Sequence, residues 1–121
     1  MDALSKFDGE WSCLALEVEG KAIPDDWFQG TLVSITQGHF RLSFRTTRYA
    51  GAIQFGQRSN EDIDIIITEG LQPGIGAPGI YELVGNDLTI CLGLPGRERP
   101  REFVAGLGSR CALGRLRRDR V

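Results

Sequence analysis

A chain of 121 residues can bury one apolar core and is too short for two ordinary ones, so residues 1–121 read as a single domain. With 41% hydrophobic and 25% charged residues it is not disordered, the lack of any run of 18 apolar residues excludes a spanning helix, and its 16 glycines point to many turns. The formal charge of −2 is unevenly spread: residues 97–121 hold 8 arginines against 3 acids, a net +5, which leaves −7 for residues 1–96.

That arginine strip reads as a solvated strand face and tail. Nucleic acid is disfavoured as a partner, because Phe103 is the only aromatic ring among those arginines on which a base could stack. The start, Met1 to Trp11, shows no basic region, apolar stretch or cleavage site, so neither secretion nor a membrane is indicated. Cys13, Cys91 and Cys111 are odd in number and widely spaced, which fits reduced, mostly buried thiols and a cytoplasmic protein.

Taken in chain order, period-two alternation broken by glycine and polar pairs predicts strands at 10–19, 31–37, 40–47, 49–56, 62–69, 79–84, 87–93 and 111–118. Pro24 followed by Asp25 and Asp26 predicts one short helix near residues 24–29, lying across one end as a lid or plug. Gln37-Gly38-His39 and Gly85-Asn86-Asp87 are hairpin-length connections, so neighbouring strands should pair antiparallel. Phe40, Leu42 and Phe44 share a face, as do Ile53 and Phe55, then Ile63, Ile65 and Ile67, then Tyr81 and Leu83, then Leu88, Ile90 and Leu92. Arg41, Ser43, Arg45, Asp62, Asp64, Thr89 and Cys91 fall on the opposite faces, toward solvent. In the first strand Leu14, Leu16 and Val18 run out of phase with Trp11, which requires a bulge after Trp11 or two buried faces. One apolar face on each of eight short strands gives an all-β fold, a single eight-stranded antiparallel up-and-down barrel with one short helix.

Catalytic and metal chemistry find little to build on. The sole histidine, His39, occupies a hairpin turn with no acid fixed beside it, the cysteines lack CxxC spacing, and the paired carboxylates Asp25/Asp26 and Asp62/Asp64 are explained by capping and solubility. Neither a metal nor a cofactor is expected. Gly74 to Gly79 contains a G-x-G-x-x-G spacing, but no helix follows it, so it reads as a loop before a strand opening at Gly79. What remains is the barrel interior. Ile53, Ile63, Ile65, Ile67 and Ile90 favour filling it, whereas Tyr81, Tyr49, Glu82, Trp27, Phe44 and Phe55 are the residues that could line a ligand.

Gly9-Glu10-Trp11; Glu17, Gly20 and Pro24; Ile63-Asp64 with Ile67 to Gly70; Gly79 to Cys91; and Arg99-Pro100 with Glu102-Phe103 together resemble, in order and spacing, a family of small uncharacterised bacterial domains abundant in planctomycetes. Phe7-Asp8 and the extra residue in Gly85-Asn86-Asp87 depart from the family's pattern. The family is regarded as lipocalin-like. The resemblance implies that Gly9 and Trp11 open the barrel, that Trp11 plugs its closed end and that a late arginine packs over the indole, with Arg99, Arg115 and Arg117 as candidates and Arg99 brought in by a closing clasp. The expected function is a non-catalytic module binding a small apolar or amphipathic ligand in the barrel. One alternative is an enzyme whose cavity shapes a cyclisation, isomerisation or hydrolysis. Another is a protein-interaction module using the arginine strip or an unsealed strand edge, which a homodimer would cover.

Overall fold

A computed structural model describes residues 3–28, 31–44, 46–55, 62–70, 74, 76–94 and 98–120, with residues 3, 4, 44 and 120 described by their backbone. The strands are β1 (Gly9–Val18), β2 (Lys21–Ala22), β3 (Leu32–Thr36), β4 (His39–Phe44), β5 (Thr47–Phe55), β6 (Asp62–Glu69), β7 (Gly76–Val84), β8 (Asp87–Gly93) and β9 (Cys111–Arg120). A 3-10 turn spans Ala3–Phe7, and the one-turn helix α1 spans Asp25–Phe28. All strands but β2 form one antiparallel barrel in the order β1-β3-β4-β5-β6-β7-β8-β9, and β9 returns to pair with β1. The all-β, eight-stranded antiparallel barrel expected from the alternation is therefore the fold. Its β1–β9 seam is closed, so an interaction module using a free edge there has no edge to use.

Tight turns set the register. Gln37 (φ 51°) and Gly38 (φ 81°) both take positive φ, as a two-residue hairpin loop between Thr36 and His39 requires. Asp87 already pairs with Val84, so the second hairpin turns on Gly85-Asn86 alone rather than on three residues. Glu19 and Gly20 turn β1 into β2, which the alternation did not resolve as a strand. β7 starts at Gly76, earlier than expected, and carries Pro78 opposite Asp64. A proline so near a strand's start costs the ladder little, yet on sequence it reads as a breaker.

The core lies toward one end. Phe7, Trp11, Ile35, Phe40, Ile53, Ile63, Tyr81 and Leu88 pack together there, and Val33, Leu42, Phe55, Ile65, Leu83, Ile90 and Leu116 support them. This is the closed end, where the 3-10 turn lies beside the β3–β4 and β7–β8 turns; α1, the start of β5 and the end of β6 mark the open end. The phase problem in β1 is solved by a bulge. Register shifts fall between Glu10 and Trp11 and between Cys13 and Ala15, so Leu14 is left exposed while Leu16 returns to the interior against Gly114.

A second, smaller core lies on the outside of the barrel. Ile80, Cys91 and Cys111 face outward from β7, β8 and β9, and residues 98–110 cover them by placing Ala105 in their midst. The Cys91 thiol donates to Val104 O at 3.6 Å and the Cys111 thiol to Ser109 O at 3.4 Å. Cys91 and Asp62 are thus buried where alternation placed them in solvent, because the period assigns a face without knowing what lies over it.

Burial pushes the Cys91 thiol above its ordinary 9.0, with Cys111 beside it adding to the shift. The unfolded thiol therefore ionises first. Its contribution to stability is complete below pH 9.0 and is lost as pH rises through the higher folded value. Urea midpoints measured from pH 7 to 10.5 should fall less steeply above pH 9 in Cys91→Ala than in the native protein, and identical slopes would show that this thiol does not couple to folding.

Candidate functional site

At the closed end the groups singled out by sequence serve packing. Trp11 is 0% exposed and its Nε1 donates to Phe7 O at 2.9 Å, which orients the indole under the 3-10 turn. The arginine over it is Arg118, with its guanidinium carbon 4.6 Å from the ring centroid. Its Nη1 donates to Asp8 O at 2.8 Å and Lys6 O at 3.0 Å, while its Nε donates to Asn86 Oδ1 at 3.0 Å. None of Arg99, Arg115 and Arg117 holds that position. The signal was present in the sequence: Arg118 continues the inward phase of Gly114 and Leu116, whereas Arg115 and Arg117 take the other phase. Arg117 meets Asp87 at 3.1 Å on the exposed wall.

Arg99 does act as a clasp, but at a different place. Its Nη1 donates to Ile63 O at 2.7 Å and Gly79 O at 2.8 Å, and its Nη2 to Asp64 Oδ1 at 2.8 Å. Its Nε stands 3.6 Å from Asp62 Oδ2. One guanidinium thereby pins the 98–110 segment across β6 and β7, which gives Asp62 and Asp64 a structural role.

The expected ligand-lining residues divide between the two ends. Tyr81 is buried at the closed end, where its hydroxyl accepts from Lys6 Nζ at 2.5 Å. Phe55 stands beside it, with ring centroids 6.2 Å apart, and the Lys6 ammonium lies 4.9 Å from both rings. Glu82 points outward and is exposed. The Phe44 side chain lies outside the described residues. Gly9 opens β1 with φ 136° opposite Ile35. Trp27 and Tyr49 alone come together at the open end. Of Tyr81, Tyr49 and Glu82, any one of which could line the mouth of a barrel enzyme, only Tyr49 is at the open end.

The open end holds a wide depression of about 1460 Å³, bordered by α1 on one side and by Thr68 and Glu69 of β6 on the other. Local chemistry explains the border. Pro24 and two acids start α1, Trp27 N donates to Pro24 O at 3.0 Å, and Phe28 is buried as the anchor, which turns Trp27 outward at 44% exposure. Tyr49 lies with its ring over Gly70, where any Cβ would come within 2.5 Å of the ring. The floor is largely the outer wall: Ser34, Arg41, Ser43, Arg48 and Ala50 all contribute. Sequence reasoning placed Arg41 outside correctly and passed over it as a site residue, because it counted an outward residue as solvated.

Among the described residues, no three His, Cys, Asp or Glu side chains gather as metal ligands, and no helix is long and apolar enough to cross a membrane. No protein-family model, curated protein or solved structure matches the chain.

Proposed function

We propose that the protein is a non-catalytic, lipocalin-like binding module for a small amphipathic molecule, and that the molecule sits in the open-end depression. The observation that carries this reading is the polarity of the barrel's two ends. One is packed solid around Trp11 and sealed by Arg118, and the other keeps Trp27 and Tyr49 at the border of an open concavity. Aromatic rings with one polar edge suit a ligand that is part apolar and part wet. The cytoplasmic placement expected from the thiols belongs to the same proposal.

The two tryptophans make the test direct, because Trp27 is exposed and Trp11 is not. Native mass spectrometry of freshly purified protein, followed by fluorescence titration with whatever small molecule is retained, should show a change in indole emission that Trp27→Phe abolishes and Tyr49→Ala weakens about tenfold or more. Retention unaffected by either substitution would place the ligand elsewhere and overturn the reading.

A further inference from the structure

Arg41 and Arg48 stand together, and among the described residues no acid forms an ion pair with either. Register pairs Ser34 with Arg41, Arg41 with Ala50 and Ser43 with Arg48, so the two arginines are diagonal neighbours on the outer face of β4 and β5. Diagonal positions lie roughly 7–8 Å apart, and two long side chains at that separation can converge on one point above the sheet. Around them stand Ser34, Ser43 and Ala50, all short, so among the described side chains of these strands no bulky neighbour fills the space between the guanidiniums. Among the described residues neither arginine enters an ion pair, whereas Arg99 is held by Asp62 and Asp64 and Arg117 by Asp87. Two adjacent like charges on a strand face are mutually unfavourable, and a shared counter-anion turns that repulsion into attraction.

We infer that this pair is an oxyanion site and that the ligand of the open-end depression carries a single phosphate or carboxylate group seated between Arg41 and Arg48. The inference rests on the binding reading above and adds the chemical class of the ligand. The guanidinium forks offer planar pairs of donors matched to either group, and the hydroxyls of Ser34 and Ser43 stand on the same face as further donors. Trp27, exposed at the border, takes the apolar remainder. Acids at the borders limit the size of the anion. Among the described residues Asp26 on α1 and Glu69 on β6 also line the depression, and a polyanion or an anionic membrane would meet repulsion at both borders. A small ligand with one anionic group avoids them.

Phenyl phosphate, benzoate and phenol separate the contributions, with affinities measured by amide chemical-shift titration at low ionic strength. Phenyl phosphate, benzoate or both should bind at least about tenfold more tightly than phenol, and the stronger of the two identifies the oxyanion. Arg41→Met and Arg48→Met should each weaken that probe about tenfold while leaving phenol within about twofold, and Arg48→Lys should recover only part of the loss. Both side chains are exposed, so the variants should fold, as far-ultraviolet circular dichroism would verify. Equal binding of phenol and the anions would sink the oxyanion inference and leave the binding module standing. An anion that binds the double variant undiminished would sink the inference by placing the site elsewhere, and failure of all three probes would remove both readings.

Discussion

Replacing Arg99 by methionine is expected to lower the free energy of unfolding by about 3–5 kcal/mol, because it strands a buried carboxylate. The side chain of Asp62 is only 6% exposed, and Arg99, itself 19% exposed, is its ion partner. The same guanidinium serves Asp64 and the carbonyls of Ile63 and Gly79, so the substitution removes several charge-assisted contacts while the methionine stem keeps most of the apolar contact. Urea denaturation at pH 7 would measure the loss. Adding Asp62→Asn to Arg99→Met should recover a substantial part, since an amide without a partner is cheaper to bury than a charge. Arg117→Met is the control: its pair with Asp87 is about 60% exposed on both sides and should be worth less than about 1 kcal/mol. A loss for Arg99→Met no larger than for Arg117→Met would mean that the segment over β7–β9 is held by its apolar contacts alone.

The second large effect belongs to the closed end. Trp11→Ala should cost about 3–5 kcal/mol, the range for removing a fully buried aromatic side chain, and a domain of this size has about 5–15 kcal/mol in total. Arg118→Met should cost about 2–3 kcal/mol, because its hydrogen bonds go to backbone carbonyls at the 3-10 turn and the β7–β8 turn that no other cation among the described residues reaches. The two should not add. A double-mutant cycle in urea should yield a coupling of about 0.5–2 kcal/mol from the cation over the indole face and the shared anchoring of Phe7. Strict additivity would show that Arg118 holds the turns independently of Trp11.

The barrel was legible in the sequence because it is a meander. Each strand pairs with its neighbour in the chain, each buries one face, and the turns carry their own chemistry, as at Gln37-Gly38 and Gly85-Asn86. What escaped was whatever depended on contacts between distant segments. Alternation could place Asp62 and Cys91 on the outer face, but only the fold of residues 98–110 decides that this part of the outer face is covered. It could place Arg41 outside, but Arg48 fell between the strands expected at 40–47 and 49–56, and only the registers of β3, β4 and β5 bring the two together. Tyr81 and Tyr49 looked alike as residues that could line a ligand, and they belong to opposite ends of the barrel. Arg118 differs from these cases, since its phase with Leu116 was readable and the arginine-rich context around it masked the signal.

Closure of the barrel by β9 has a consequence for how the chain is made. Cys13 pairs with Leu116 and Val18 with Ala112, so one edge of β1 waits for its partner until all the other strands have been made. During that interval β1 and β8 both expose unpaired backbone, and Arg118 has not yet arrived to seat the turn at Ala3–Phe7. A nascent chain stalled before Cys111 would present two complementary strand edges and could join a second such chain as readily as itself.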